Sequence, residues 1–381
     1  VLMPLTNQPR DYAWGSRTLI AALEGREPSG AAEAEVWFGD HPSDPAELGD
    51  GRTLDDWIAR EGAGHGVPGP LPYLLKLLAA ASPLSIQVHP SKEQAREGFA
   101  RELGLAEGQP RNYADDNHKP EMLVALSERF EALCGLREVA GSRRLLAALG
   151  PAADPLLDRL TGDEALPSVL AWLLSGDAQA TVDAVIAALD TADAPEFAGA
   201  LANARRIAAS YPADPGVIVA LLMNHVVLHR GEAVFLRAGL LHAYVSGLGV
   251  EIMAASDNVL RGGLTPKRID VDELLRVLDA RPGPVPVVLP EATEAGRDGL
   301  EAFPAPVPDF ALLRARVSAT RVARLAPRGP AIVLATEGEI RVSCGDDALD
   351  LRPGGAAFAT PDGGELRVSG DGEAFIAQPG A

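Results

Sequence analysis

Disulfide chemistry has little to work with here: the 381 residues contain two cysteines, Cys134 and Cys344, too few and too far apart for a disulfide framework. Positive charge is also short. Lysine and arginine total 34 against 53 aspartates and glutamates, a net charge of −19. That argues against a nucleic-acid partner or an anionic membrane surface, because both demand an electropositive face. No apolar run is long enough to span a bilayer, and the most apolar segment, Val217–Leu228, is interrupted by Asn224 and His225. Val1–Gly15 lacks the basic stretch and apolar run of a secretory leader. Neither a tandem repeat nor a low-complexity tract is visible. A soluble cytoplasmic protein is expected, with no nucleic-acid or membrane partner and a monomer as its state.

Lysine is scarce as well. Of the 34 basic residues only four are lysine, at Lys76, Lys92, Lys119 and Lys267. All four fall in the windows 72–92, 117–121 and 257–267, which also hold the polar motifs described below. An ammonium binds phosphate as a point charge or exchanges a proton, which guanidinium does not do at neutral pH. In so acidic a chain, a phosphate ester needs such a local basic cluster.

The length exceeds a single hydrophobic core and predicts two or three packed units. Three textures follow one another. Met3 to about Arg137 mixes short β-like runs, such as Glu35–Phe38 and Leu84–Val88, with turns. From about Glu138 to Leu228 the period is helical, with Leu145, Leu146 and Leu149, then Val169, Leu170, Leu173 and Leu174, then Val182, Val185, Ile186 and Leu189. Gly150-Pro151, Asp154-Pro155 and Tyr211-Pro212 punctuate four to six short helices. β texture returns at Ala233–Arg237, His242–Val245 and Val250–Ala254. The proline-rich Arg281–Pro290 reads as a linker or edge crossing. From about Phe310, short alternating strands are separated by turns at Glu337-Gly338, Gly345-Asp346, Pro353-Gly354 and Asp362-Gly363-Gly364. The expected fold class is mainly β with an α insertion: one β-barrel interrupted by helices, then a second barrel.

Three polar motifs stand out. In Leu84-Ser85-Ile86-Gln87-Val88-His89-Pro90, a strand directs Gln87 and His89 to one face and Ile86 and Val88 to the other. Asn117-His118-Lys119-Pro120-Glu121 runs straight into the apolar Met122–Leu126. Leu240-Leu241-His242-Ala243-Tyr244 sets one histidine in an apolar strand. Taken singly, these are a hydrogen-bonded core pair, a solvated turn and a satisfied core histidine. Together, Gln87, His89, Glu121 and His242 supply two imidazoles, a carboxylate and an amide oxygen, a mixed N/O set acceptable to Zn²⁺. A rival pair, His225 and His229, is spaced to share one helix face, but no glutamate follows His225 as a His-Glu-x-x-His site requires, so it reads as structural. A last segment, Ala255–Lys267, places two glycines after Arg261 and closes with Thr265-Pro266-Lys267.

These blocks resemble those of type I mannose-6-phosphate isomerases (phosphomannose isomerases). The resemblance is carried by Tyr12-Ala13-Trp14-Gly15, Ala34–Pro42, Pro83–Pro90, Asn117–Met122, Gly231–Phe235, His242-Ala243-Tyr244 and Ala255–Lys267, in the family's order over roughly residues 5 to 270. Val36, Phe38 and Glu138 depart from the pattern, away from the site. The resemblance implies cupin-type jelly-roll barrels, with a discontinuous catalytic barrel over 1–137 and 229–285, a helical insertion over 138–228 and a C-terminal cupin-like domain over 286–381. It also implies one zinc per chain on Gln87, His89, Glu121 and His242, and an active-site arginine at Arg261.

The implied reaction interconverts D-mannose 6-phosphate and D-fructose 6-phosphate through a cis-enediol(ate). It needs a base, a cation for the enediolate and a phosphate anchor. Arg261 suits the enediolate. Lys119 with His118, or Glu251, or Asp257, is available for proton transfer, and His118 with Lys119 for ring opening. Lys92, with Ser85 or Lys267, is expected to anchor the phosphate. The competing readings are an isomerase of free mannose or another aldose phosphate, a non-catalytic sugar-binding cupin, and a metal-dependent oxygenase, which would usually prefer several histidines to an amide ligand.

Overall fold

The structure is a computed structural model that describes residues 1–293 and 299–381. The chain opens with β1 (Leu2–Thr6), α1 (Leu19–Glu24), β2 (Glu35–Phe38), β3 (Glu47–Leu48), α2 (Leu54–Glu61), β4 (Tyr73–Ala80), β5 (Ile86–Val88), α3 (Lys92–Glu102), β6 (Glu121–Ala125) and β7 (Phe130–Leu136). Helices follow: α4 (Val139–Ala147), α5 (Asp154–Arg159), α6 (Leu166–Leu174), α7 (Gln179–Ala188), α8 (Ala198–Ser210) and α9 (Gly216–Leu222). Strands return as β8 (Met223–Leu228), β9 (Ala233–Leu236), β10 (His242–Ala254) and β11 (Leu260–Gly263), then α10 (Val271–Val277), β12 (Val287–Val288) and β13 (Glu291–Ala292). The last strands are β14 (Leu300–Phe303), β15 (Ala311–Val317), β16 (Ala323–Leu325), β17 (Ala331–Cys344), β18 (Asp347–Leu351), β19 (Ala356–Ala359) and β20 (Leu366–Gln378).

One sheet is organised around β10. The C-terminal half of this strand pairs with β4 on one side and β6 on the other, and its N-terminal half pairs with β5 and β7. Every residue of β4 is buried, because both its faces are covered; that is why Tyr73–Ala80 reads as a continuous apolar run rather than an alternation. Tyr73, Leu75, Leu77 and Ala79 enter a core shared with Phe358 and Phe375 of the C-terminal strands. The opposite face of β4 carries Leu74, Lys76 and Leu78.

The second sheet runs in the order β13-β14-β15-β20-β17-β19-β1-β3. The N-terminal strand β1 pairs with β19, so it lies in the C-terminal sheet and not in the barrel expected over 1–137. The turns at Gly345-Asp346 and Pro353-Gly354 are present, but Glu337-Gly338 lies inside β17, beside a register shift between Ala335 and Glu337. A Cβ on Gly338 would come within 1.9 Å of the Asp371 carbonyl oxygen. There the glycine admits a close backbone approach at a bulge, a role local sequence does not separate from a turn.

The helices α4–α9 bury one continuous apolar cluster that also takes in Ile86, Val88, Leu241 and Leu260. The insertion therefore packs against the back of β5, β10 and β11. Ile86 and Val88 are fully buried in it, contributing about 1.5–3 kcal/mol each relative to exposure, and this fixes which way Gln87 points. Helical texture ends at Leu222. Met223–Leu228 is β8, paired with β7, so His225 and His229 share no helix face. No single helix among the described residues is long and apolar enough to cross a membrane. Arg281–Pro290 leads into an edge pairing, β12 with β9.

Glu131 of β7 ties the sheet to the insertion. Its buried carboxylate accepts from Arg129 at 3.0 Å and His225 at 2.9 Å, and from Arg206 of α8. Burial alone would raise its pKa, but these donors pull it from 4.5 down to about 2. A depressed folded-state pKa contributes stability above the unfolded value that is lost as pH falls through the folded one. Glu131→Gln is therefore expected to lower Tm at pH 7, with the gap to the parent protein closing between pH 4.5 and 2; a gap independent of pH in thermal melts would exclude the ionised carboxylate as its source.

Candidate active site and metal centre

The cleft is built from three neighbouring strands. In the ladders, His242 of β10 pairs with Gln87 of β5, and Gln87 pairs on its other side with Arg261 of β11. Directly paired residues point to the same face, so His242, Gln87 and Arg261 form one row. A second row comes from the other half of the sheet, where Trp37, Lys76 and Glu251 are in register on β2, β4 and β10. Along an unbroken strand, even-numbered His242 and Tyr244 would oppose odd-numbered Glu251 and Met253. A register shift between Tyr244 and Ser246 reverses the parity, and all four line the same cavity of about 600 Å³.

At the floor, the ligand atoms of His89, Glu121 and His242 lie within 4.8 Å of one another, all three residues buried. His89 Nε2 is 3.4 Å from Glu121 Oε1, and His242 Nε2 is 3.4 Å from Glu121 Oε2. Donors about 2.1 Å from a tetrahedral ion sit about 3.4 Å from each other. The Nδ1 atoms face backbone carbonyls, His89 to Asn258 and His242 to Leu240, both at 2.8 Å. Each Nδ1 must therefore carry the hydrogen and donate it, leaving the Nε2 lone pair free as a metal ligand requires. His89 Nε2 is buried with no hydrogen-bond partner, and burial holds the ring neutral, its pKa pushed down to about 4. Gln87 donates its amide N–H to Ser85 Oγ at 3.2 Å, which leaves the amide oxygen uncommitted. These donors fit a borderline divalent ion such as zinc. Burial works against the Glu121 carboxylate, yet Lys119, 3.1 Å away, holds its pKa well below the usual range.

The wall carries paired and unpaired charges. Lys76 lies 3.1 Å from Glu251 and 3.8 Å from Glu35; burial opposes its charge, but the two carboxylates raise its pKa. Burial raises the pKa of Glu251, which accepts from the Tyr244 hydroxyl at 2.8 Å. Asp257 meets His41 Nε2 at 3.1 Å. That ring accepts the Ser43 N–H at Nδ1, so Nε2 carries the hydrogen and donates. Arg261 and Lys267 line the cleft without a carboxylate at ion-pair distance among the described residues. Half-burial lowers the Arg261 pKa. Lys76, Lys119 and Lys267 all line this one cavity, but Lys76 and Lys119 are paired with buried carboxylates, so the positive charge left over for a phosphate ester is that of Lys267 and Arg261.

Comparison with known proteins shows the family. The family model for the phosphomannose isomerase type I catalytic domain matches residues 2–139. The mannose-6-phosphate isomerase of Escherichia coli is 36% identical over 371 residues, 92% of this chain and 93% of that one. The human mannose-6-phosphate isomerase is 33% identical, covering 90% and 89%. The chain belongs to the type I mannose-6-phosphate isomerase family. A zinc-bound crystal structure of mannose 6-phosphate isomerase superposes over the whole of both chains with a TM-score of 0.90 at 34% identity. A point mutant of the phosphomannose isomerase from Salmonella typhimurium does so at 0.89, also at 34%. The mainly antiparallel fold with its helices is that of these enzymes.

Of the residues singled out in the sequence, Ser85, Gln87, Lys119, Glu121, His242, Glu251, Asp257, Arg261 and Lys267 line the cleft, and His89 completes its floor. Two do not reach it. His118 turns to the C-terminal unit and donates to Asp309 at 2.7 Å. Lys92 opens α3 behind the Ser91–Gln94 capping box, and the helix start carries it away from the lining. The scarcity of lysine marked Lys76 but gave it no role, although a single charge in the apolar run Leu71–Ala80 was a second signal. His41, Tyr244 and Asn258 fall within blocks that carry the family resemblance, but nothing in the local pattern gave them a part in the site.

Removing one imidazole leaves too few donors to hold an ion. His242→Ala is expected to lose tightly bound divalent metal, measured per chain after gel filtration; retention of one ion per chain would remove His242 from the ligand set. Asn258→Ala, which loosens the segment whose carbonyl orients His89, is expected to weaken metal affinity about 10–100-fold.

Proposed function

We propose that this chain is a zinc-dependent isomerase that interconverts D-mannose 6-phosphate and D-fructose 6-phosphate, with one ion held by Gln87, His89, Glu121 and His242. The observation that carries the reading is the meeting, in one cleft, of a donor set with free lone pairs and two cations without anionic partners. Zinc, when bound, supplies a Lewis acid that orients or polarises the sugar oxygens. The residues do the rest. Lys267, with the Ser85 hydroxyl, anchors the phosphate as a point charge. Asp257, held by His41, takes the anomeric hydroxyl proton in ring opening, the part first given to His118 with Lys119.

Once the chain is open, a proton leaves C2 and one returns to C1 through a cis-enediolate. Glu251 is the base we assign, because Tyr244 and Lys76 fix its two oxygens and leave it facing the cavity. Arg261 is the permanent cation that stabilises the enediolate oxygens. Lys119 neutralises Glu121 and stands ready as a proton donor. A non-catalytic sugar-binding role would leave the buried Lys76–Glu251 pair without a purpose in recognition. A preference for free mannose would leave Lys267 with no anion to meet.

The direct experiment is a coupled assay for fructose 6-phosphate formation across sugars. Mannose 6-phosphate should be converted, activity should fall on chelation and return with zinc, and free mannose should be much poorer. Equal turnover of free and phosphorylated mannose would overturn the phosphate assignment. Arg261→Ala is expected to cost about 10²–10³-fold in kcat with metal content unchanged; near-normal turnover would make this arginine structural.

A further inference from the structure

We propose that Asp214, on the turn between α8 and α9, is a positioning residue that holds the phosphate-binding arm in place. By this account the helical insertion acts on substrate affinity through one carboxylate. The proposal rests on Lys267 anchoring the phosphate. Lys267 lies four residues beyond Gly263, where β11 ends, so something must fix the direction in which Leu264-Thr265-Pro266 leave the sheet. Asp214 supplies that fix. Its Oδ1 accepts the Leu264 N–H at 3.2 Å and its Oδ2 accepts the Thr265 N–H at 3.2 Å, while Oδ1 also accepts from Gly216 at 2.7 Å.

Two further observations converge on the contact. The backbones touch: a Cβ on Gly216 would lie 2.5 Å from Leu264 N, and one on Gly263 would lie 2.5 Å from Gly216 Cα. Moreover, among the described residues the two non-glycine positions with positive φ are Ala213, at 62°, and Leu264, at 54°, one on each side of this clasp. Left-handed backbone at residues with a Cβ persists only where the surroundings over-determine it. The same turn reaches the other wall, since Tyr211 lines the cleft and its hydroxyl donates to the Pro83 carbonyl at 2.9 Å, just before Ser85. The turn thus spans the entries to both phosphate-facing segments and touches no reacting atom.

The test uses the zinc-loaded enzyme with inorganic phosphate as a competitive probe. Asp214→Ala should raise both the phosphate inhibition constant and KM for mannose 6-phosphate about tenfold, as expected for two lost hydrogen bonds that orient the arm. Its kcat should stay within about twofold and its zinc at one per chain. Asp214→Asn, which keeps one acceptor oxygen, should recover part of the loss and carries the test if the alanine variant does not fold. Lys267→Ala is the reference. If it leaves the phosphate constant unchanged, the phosphate-anchor reading fails. If it raises that constant while both Asp214 variants bind phosphate normally, the clasp is overturned. A fall in kcat together with zinc loss in the Asp214 variants would also overturn it, as a general folding role.

Discussion

The site depends on one buried carboxylate. Glu121 sits between two imidazole Nε2 atoms and an ammonium, in a place where an unpaired charge would be costly. Its neighbours are arranged to make the charge tolerable, and that arrangement is also what a cation needs. The imidazoles offer lone pairs because their other nitrogens are committed to backbone carbonyls. Lys119 supplies local compensation. Electrostatic satisfaction of Glu121 and construction of a metal site are therefore the same structural problem.

Sheet geometry solves it. Glu121 of β6 pairs with Met253 in the C-terminal half of β10, while His242 at the other end of that strand pairs with Gln87 and, through it, lines up with Arg261. The carboxylate and the imidazole thus come from different halves of the sheet and meet in the cleft. The bulge in β10 lets a single strand contribute His242 from one half and Glu251, the partner of Lys76 on β4, from the other. An unbroken alternation would have buried one of these groups in the apolar core behind the sheet. The helical insertion covers that back face with Ile86, Val88 and Leu260 in its core, so the polar side of β5 has only the cleft to face.

The C-terminal unit reaches the site at second hand. Asp309 accepts from His118 in the segment that leads into Lys119 and Glu121, and Tyr73, which begins the strand carrying Lys76, places its hydroxyl 2.9 Å from the Pro330 carbonyl and 3.2 Å from that of Ala377. Together with the shared core, these contacts make the second sheet part of the scaffold that keeps the catalytic strands in register.

Much of this was legible in the sequence, and the limits have a physical cause. The β–α–β order, the partition of Gln87 and His89 from Ile86 and Val88, and the donor types at Glu121 and His242 follow from local periodicity and side-chain chemistry, which the chain carries wherever it folds. The scarcity of lysine pointed to the cleft for three of four positions. What local pattern left open was direction. His118 and Lys92 sit in polar motifs beside residues that line the cleft, yet a carboxylate 191 positions away claims the first and a helix start turns the second aside. Met223–Leu228 continues an apolar helical text but becomes a strand, because β7 offers an unpaired edge. The composition of the site was thus determined by the sequence alone. Its parity, its pairings and the free state of Arg261 and Lys267 were decided only in three dimensions, because register, bulges and contacts between distant residues have no local signature.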